Sequence, residues 1–320
     1  MSEIIIGIDI GGTTSKIGIL NKQGSILSKW EVGTSKANKG ESVVNDIWES
    51  IKDKLRTEDQ HYLLGIGIGA PGFIDGANGL VYEAVNIGWK DTPLAEQFSQ
   101  LAGVPVFVEN DANTAALGEN WVGAGNQTNN LIAITLGTGV GGGIIVNGTI
   151  VNGVSGTAGE LGHITIDPNG YRCNCGRRGC LETICSATGI VRQAMSLAEQ
   201  KPDSSLAAFV TLAGSITAKD VFTLAKQGDA LCQTVVERTG DVLGFAIANV
   251  AVVLNPSIVL IGGGVSKAGD QLISVIERAF RQYALPRVSE VCEIKAAQLG
   301  NDAGIIGAAY LVVQQMADFK

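Results

Sequence analysis

The chain has 320 residues, and its content of 45% hydrophobic and 17% charged residues excludes an intrinsically disordered protein. The formal net charge of -8 gives no broad electrostatic basis for binding nucleic acid or an anionic membrane surface, so we expect neither partner. The most apolar window, residues 243–261, is interrupted by Asn255-Pro256. It therefore predicts a buried helix, a turn and a strand rather than a membrane span.

The N-terminal segment predicts a β-hairpin with strands over residues 4–9 and 15–20. Glycines at its tip let the backbone approach a polyphosphate, threonine hydroxyls can donate to it, and Asp9 at the strand end could hold Mg²⁺ through water. The chain has 43 glycines, many beside strands, and we interpret their number in the same way, as close approach to phosphate. An ordinary glycine-rich hairpin is the alternative. The candidate phosphate- and magnesium-binding residues are Asp9, Gly11, Gly12, Thr13, Thr14 and Lys16.

The next elements lead to a candidate catalytic carboxylate. A helix is predicted over residues 40–56, a strand over 63–70 that ends in Pro71-Gly72, a strand over 104–109 and a helix over 112–121. Asp111 follows the second of these strands, where a carboxylate could accept the proton of a hydroxyl that attacks a phosphate. The alternative is that Asp111 merely caps the helix.

The pattern of strand, Gly-Thr tip and strand recurs over residues 131–136 and 144–146, which implies two similar α/β halves. The intervening GTGVGGG lacks the GK[ST] of a Walker A loop and leads into a strand, unlike a Rossmann fingerprint. A third glycine run follows a strand over 257–261 and precedes a helix to about residue 283, whose N-terminus could receive a nucleotide. Tight turns are the alternative. The candidate nucleotide-binding residues are Gly137, Thr138, Gly139, Gly262, Gly263 and Gly264.

A metal site is predicted between the second and third glycine runs. His163 is one of two histidines in the chain, and it precedes Cys173, Cys175 and Cys180. One imidazole and three thiolates fit a closed, tetrahedral, structural Zn²⁺ site, whereas free thiols in a loop are the alternative. The other three cysteines lie singly in apolar stretches and are predicted to be buried small apolar side chains: Cys185, Cys232 and Cys292. The absence of a disulfide framework and of a signal-peptide pattern leads us to expect a cytoplasmic protein.

These elements predict an α/β protein of two lobes. We place the smaller lobe in residues 1–115, joined by a C-terminal helix over 302–320, and the larger lobe, with the zinc-binding loop, in residues 116–301. Between residues 183 and 254 the chain is expected to be mostly helical.

The motifs together resemble a known family. DIGGTTSK, TLGTGVGGG and IGGGVS are similar to the phosphate and adenosine segments of the actin and hexokinase superfamily. VENDANTAALGE, and GELGH followed by CNCGRRGCLE, resemble the signature of ROK sugar kinases within it. The resemblance covers essentially the whole chain. It implies a two-lobed, actin/hexokinase-like (ribonuclease H-like) fold with ATP and a sugar in the interlobe cleft.

The resemblance also implies residue roles. Asp111 would be the general base, and His163 would bind zinc through one ring nitrogen and the sugar through the other. Sugar binding would also involve Gly72, Asn86, Asn110, Asp111, Glu160 and Glu182. For Asn86 a turn residue, and for Glu160 and Glu182 solvated surface charges, are the alternatives.

The implied reaction is ATP-dependent phosphorylation of the 6-hydroxyl of a hexose, with glucose as the expected substrate and Mg²⁺ as cofactor. N-acetylmannosamine, fructose or allose are the alternative substrates. A sugar-responsive regulator without catalysis is the alternative of another class. Regulators of this family carry an N-terminal DNA-binding domain, and we expect none in this chain because the first hairpin begins within the first ten residues. The resemblance further implies a homodimer or homotetramer.

Overall fold

The computed structural model describes residues 2–56 and 61–318. The chain divides into two compact units, and each is built from separated segments. The first unit comprises Met1–Gln127, Gly143–Gly159 and Leu299–Lys320, and the second comprises Thr128–Gly142 and Glu160–Gln298. The boundary predicted near residue 115 falls within a continuous helix, Asp111–Val122, and the first unit extends past it. Within the described residues, no helix combines the length and the apolar character needed to cross a membrane.

The described residues form both strands and helices, as expected of an α/β protein. The strands are β1 (Ser2–Ile10), β2 (Thr14–Leu20), β3 (Ile26–Gly33), β4 (His61–Ala70), β5 (Phe73–Asp75), β6 (Leu80–Ala84), β7 (Trp89–Thr92), β8 (Val106–Asn110), β9 (Leu131–Leu136), β10 (Val140–Val146), β11 (Thr149–Ile150), β12 (Ile258–Gly262) and β13 (Glu293–Ala296). The helices are α1 (Val43–Arg56), α2 (Leu94–Ala102), α3 (Asp111–Val122), α4 (Glu182–Cys185), α5 (Ala187–Gln200), α6 (Ser205–Ala213), α7 (Ala218–Lys226), α8 (Ala230–Leu254), α9 (Asp270–Tyr283), α10 (Pro286–Ser289) and α11 (Ala303–Asp318).

The first unit is organised around a five-stranded sheet of order β3-β2-β1-β4-β8. Strands β1 and β2 are antiparallel, as the predicted hairpin requires, whereas β1, β4 and β8 run parallel. The isoleucines of β1 are buried on both faces, which is typical of a strand inside a sheet covered on both sides. Ile4, Ile6 and Ile8 pack toward α1, and Ile5 packs against α11.

Glycines of the first sheet serve helix packing. A Cβ on Gly67 would lie 1.7 Å from the carbonyl oxygen of Ala308, and a Cβ on Gly7 would lie 2.0 Å from that of Ile305. Because only glycine leaves this space, α11 can rest directly on β1 and β4. The interpretation of the many glycines as phosphate contacts was therefore wrong for these two positions.

The second sheet has the order β11-β10-β9-β12-β13, with β12 parallel to both β9 and β13. Strand β10 begins at Val140, four residues before the predicted start at residue 144, because glycines of the GTGVGGG run are part of the strand. A small sheet of order β5-β6-β7, strand β3 and helix α2 lie in stretches where no element was predicted. Five helices, α4 to α8, fill the region from residue 182 to 254, which confirms its predicted helical character.

Candidate active site

The turn between β1 and β2 places Asp9 beside Lys16, with 3.6 Å between the carboxylate Oδ2 and the ammonium Nζ. The amide of Gly11 donates to the carbonyl of Thr14 at 3.1 Å and closes a tight turn. Burial raises the pKa of Asp9, and Lys16 opposes this shift. The carboxylate is therefore desolvated yet still one-fifth exposed, which suits a group that meets a cation.

Asn86 lies next to this turn. A Cβ on Gly12 would be 3.3 Å from the Cβ of Asn86, whose side chain is exposed. The structure thus brings the predicted sugar-binding Asn86 beside the predicted phosphate-binding Gly12 within the first unit.

The junction of β8 and α3 is built around Asn110 and Asp111. The Asn110 side-chain oxygen accepts from the amides of Ala112 and Asn113 at 2.9 and 3.3 Å, so Asn110 is the residue that caps α3. The side-chain nitrogen Nδ2 of Asn110 donates to the carbonyl of Gly72 at 3.0 Å. The alternative of Asp111 as the cap is therefore wrong. Asp111 is the half-buried first residue of the helix, and its Oδ1 accepts from the adjacent Ala112 amide at 2.8 Å.

Behind this junction lies a buried hydrogen-bond network, which we name the Glu109 cluster: Glu109, Asn113 and Asn152. Glu109 Oε1 accepts from the backbone amide of Asn110 at 2.7 Å and from Asn113 Nδ2 at 3.0 Å. Glu109 Oε2 accepts from Asn152 Nδ2 at 2.8 Å, and Asn113 Nδ2 also donates to Asn152 Oδ1 at 3.1 Å. Three donors thus compensate for the burial of this carboxylate, which is 5% exposed.

In the second unit, the Gly137–Gly139 turn is tied to the start of α5. The Gly137 amide donates to the Gly139 carbonyl at 3.0 Å, and the Thr188 hydroxyl donates to the Thr138 carbonyl at 2.9 Å. A Cβ on Gly139 would lie 2.9 Å from Glu182 Oε2, so this turn and the predicted sugar-binding Glu182 are direct neighbours.

The third glycine run lies between a strand and a helix, as predicted. Gly262 ends β12, Gly263 has φ +83°, and a 3₁₀ helix, Val265–Ala268, follows before α9 begins at Asp270. The helix predicted to follow this run and to reach about residue 283 is confirmed, with the 3₁₀ turn before its first residue. Gly263 allows contact with β9: a Cβ there would lie 2.5 Å from the carbonyl of Leu136.

The second unit contains a cavity of about 640 Å³ that is lined in part by residues of the second and third glycine runs. Gly137 and Gly264 contribute to its lining, and so does the exposed side of α7. Three lysines, Lys219, Lys226 and Lys267, also line it, which gives this concavity a positive charge in an acidic chain.

The predicted zinc ligands converge. One side-chain atom from each of His163, Cys173, Cys175 and Cys180 lies within 4.8 Å of all the others. Cys175 Sγ and Cys180 Sγ are 3.6 Å apart, and Cys173 Sγ is 3.7 Å from His163 Nδ1. A zinc tetrahedron with Zn–S of about 2.3 Å has edges of about 3.6–3.8 Å, so the four residues fit the ion. Burial raises the pKa of Cys173 and of Cys180, which makes a cation the natural means of keeping both as thiolates.

The two ring nitrogens of His163 face different groups. Nδ1 faces Cys173 and lies 3.8 Å from Glu182 Oε1, whereas Nε2 lies 4.0 Å from Glu160 Oε2. The ring can therefore serve the cysteine cluster on one side and leave Nε2 and Glu160 for another ligand.

Comparison with known proteins decides the family. The family model described as "ROK family" matches residues 5–315. The chain belongs to the ROK family. This confirms the identification made from the motifs, and the α/β class of the fold is confirmed with it.

Individual ROK relatives cover nearly the whole chain. A glucokinase from Halalkalibacterium halodurans is 50% identical over 97% of this chain and 95% of its own length. The crystal structure of a ROK family glucokinase from Streptomyces griseus in complex with glucose and AMPPNP is 36% identical, with a TM-score of 0.79 over 97% of this chain and 99% of that one. A ROK family transcriptional regulator, a homolog of the E. coli MLC protein, is 29% identical with a TM-score of 0.89, over 99% of this chain and 79% of that one.

Several polar residues that the structure places beside the motifs carry little or no signal in the sequence. Glu109 had a readable signal, since it is a charged residue at the end of an apolar strand. Asn152 and the α7 lysines had none, because only the tertiary structure brings them beside the motifs. Cys185, Cys232 and Cys292 are buried as predicted.

Proposed function

We propose that this ROK protein is a glucokinase that transfers the γ-phosphoryl group of ATP to the 6-hydroxyl of glucose. The observation that carries the proposal is the 50% identity with a glucokinase over 97% of the chain. The half-buried Asp111 at the end of a parallel strand adds the base that such a reaction needs.

Asp111 is the residue to which we assign the proton transfer. As the 6-oxygen of glucose attacks the γ-phosphorus, the Asp111 carboxylate takes the hydroxyl proton, and the bond from the γ-phosphorus to the bridging oxygen of ADP breaks. The products are glucose 6-phosphate and ADP. Asp111 suits this role because it is a half-buried carboxylate directly after the parallel strand β8.

The remaining hydroxyls of glucose are assigned to polar residues of the signature motifs. Asn110 and Gly72 are joined by a hydrogen bond and would contact the sugar together. We also assign His163 Nε2 and the neighbouring carboxylates of Glu160 and Glu182 to the sugar. Asn86 is assigned to the same substrate, although its contact with Gly12 also supports a role near the phosphates.

For ATP we assign the 640 Å³ cavity of the second unit to the nucleoside, because Gly137 and Gly264 lie in its wall and lysines give it positive charge. The phosphates are assigned to the glycine and threonine residues of the first and second turns: Gly11, Gly12, Thr13, Thr14, Thr138 and Gly139. Gly262 and Gly263 would position the adjacent Gly264 in the wall of the cavity. Asp9 and Lys16 fit Mg²⁺ and phosphate, respectively, and the ion would supply neutralisation of the charge that develops on the phosphoryl oxygens.

Zn²⁺ would be held by His163 Nδ1 and the thiolates of Cys173, Cys175 and Cys180. Four protein ligands leave no open position, so the ion would stabilise the loop and fix the His163 ring rather than take part in the reaction. Thiolate ligands require reduced cysteines, and we therefore propose a cytoplasmic location. A homodimer or homotetramer remains our expectation for the assembly.

The function is tested by ADP release from purified protein with ATP–Mg²⁺ over a panel of sugars. We expect strong activity with glucose and weak activity with N-acetylmannosamine, fructose and allose. Strong activity with N-acetylmannosamine and none with glucose would refute the substrate assignment. Absence of activity with every sugar, together with tight sugar binding, would favour the regulator.

A further inference from the structure

The Glu109 cluster lies directly behind the residues assigned to the sugar. We propose that Glu109 and Asn152 are positioning residues for phosphoryl transfer, which hold Asn110 and Asp111 in the orientation that receives glucose. The inference rests on the proposed kinase function. It concerns residues of the first unit alone.

The direction of every hydrogen bond in the cluster is set by the carboxylate. An ionised Glu109 can only accept, so Asn113 and Asn152 must both turn their nitrogen atoms toward it. Asn113 Oδ1 is then buried without a hydrogen-bond partner among the described residues. It lies against Gly143, where a Cβ would be 3.3 Å from this oxygen. Reversing either amide would point an oxygen at the carboxylate. The cluster therefore has one arrangement, which is the property that a positioning device needs.

Three chain segments meet at the carboxylate. The first reaches it through Gly76, where a Cβ would lie 3.3 Å from Glu109 Oε2 and 3.5 Å from Asn152 Nδ2. The second is the catalytic segment itself, whose Asn110 amide donates to Glu109. The third is the Gly143–Gly159 segment, which Asn152 joins to the carboxylate through its side-chain amide.

Two of these segments carry residues assigned to the sugar: Gly72 in the first, and Asn110 with Asp111 in the second. Loss of the carboxylate would free them to move independently. A misplacement of about 1 Å in a reacting group lowers a rate by about 100-fold, so a modest local shift suffices for a large kinetic effect.

The cluster can be tested by exchanging its charge. In Glu109→Gln the new amide nitrogen would face Asn152 Nδ2, donor against donor. In the double variant Glu109→Gln with Asn152→Asp, the new aspartate carboxylate at position 152 accepts from the amide nitrogen of the new glutamine. Its other oxygen still accepts from Asn113, and the net charge stays that of the wild type. The matched control is Glu49→Gln with Asn45→Asp, which exchanges the same residue types four residues apart on the exposed side of α1.

We expect Glu109→Gln to lower kcat/KM for glucose by about 100-fold, with the KM for ATP unchanged within about threefold. Asn152→Asp alone should also lose activity, because two carboxylates would face each other. The double variant should recover to within about threefold of the wild type, and the α1 control should match the wild type.

Three results would overturn the proposal: full activity in Glu109→Gln, a folded double variant without recovery, or full activity in a folded Asn152→Ser, which removes the amide and leaves Glu109 in place. Thermal unfolding reports folding for each variant. A wild-type protein that releases no ADP with glucose would instead refute the proposed function. An active wild type with an equally active Glu109→Gln would refute only the positioning role.

Discussion

Replacing Gly67 by alanine should destabilise the first unit and impair catalysis at the same time. The added Cβ would lie 1.7 Å from the carbonyl oxygen of Ala308 and 2.5 Å from its carbonyl carbon. Ordinary contact between such atoms needs about 3.2–3.4 Å, so α11 must move from β4 by about 1.5 Å, or the strand must distort. Because the obstacle is backbone rather than a flexible side chain, we expect the upper end of the cost of overpacking, about 3 kcal/mol.

The same displacement reaches the active site through the start of α11. A Cβ on Gly304 would lie 2.8 Å from Asp9 Cγ, so the first turn of this helix packs on the carboxylate assigned to Mg²⁺. A shifted α11 therefore uncovers or moves Asp9. We expect kcat to fall by about 10-fold in Gly67→Ala even at temperatures where the protein is folded.

The assays are thermal unfolding and urea denaturation of Gly67→Ala, together with ADP release at 25 °C. A loss of about 3 kcal/mol should lower Tm by roughly 5 °C for a chain of this size. Gly33→Ala in β3 is the control, since a Cβ there would meet nothing within 4 Å, and it should match the wild type. A wild-type Tm and urea midpoint in Gly67→Ala would refute the packing argument.

Three further changes test the assigned chemistry. Asp111→Asn should lower kcat by about 1,000-fold with little change in the KM for ATP, and a normal rate would disprove the base assignment. Asp9→Asn should abolish most activity yet raise the free energy of unfolding at pH 7. Burial raises the pKa of Asp9 above its unfolded value of 3.8, so the folded state favours the protonated form and loses stability as pH rises above 3.8. The gain in urea midpoint should shrink as pH falls toward 3.8, and a loss of stability at pH 7 would contradict this reasoning. Cys175→Ser should lose the one zinc per chain expected by metal analysis of the wild type, and retention of a full equivalent would disprove the ligand set.

The sequence predicted the parts of the fold that depend on local pattern. The isoleucine run of β1 and the Gly-Thr tips identified both hairpins, and the cysteine spacing identified the cluster that the structure brings together. Strand β3 was missed because it lies at the sheet edge with alternating burial, and the β5-β6-β7 sheet because its strands are only three to five residues long.

Features that depend on distant contacts could not be predicted from the sequence. The role of Gly7 and Gly67 depends on a helix that begins more than 230 residues later. The partners of Glu109 include Asn152, which is 43 residues away and carries no motif. The sequence left open whether Asp111 caps α3, because Asn and Asp are nearly equivalent in cap preference and only the backbone shows that Asn110 is the cap.

The first unit is assembled from three separate segments of the chain, and this affects when it can fold during synthesis. The face of β1 and β4 that contains Ile5 is covered by Ile305, Ala309 and Val312 of α11. A ribosome that has synthesised β1 to α3 has therefore produced a sheet with one apolar face uncovered, and it must add about 180 residues before it reaches the covering helix. The segments of the second unit, Thr128–Gly142 and Glu160–Gln298, are synthesised during that interval. The nascent chain thus carries an exposed hydrophobic surface for most of its synthesis, which makes the N-terminal half a natural client for chaperones.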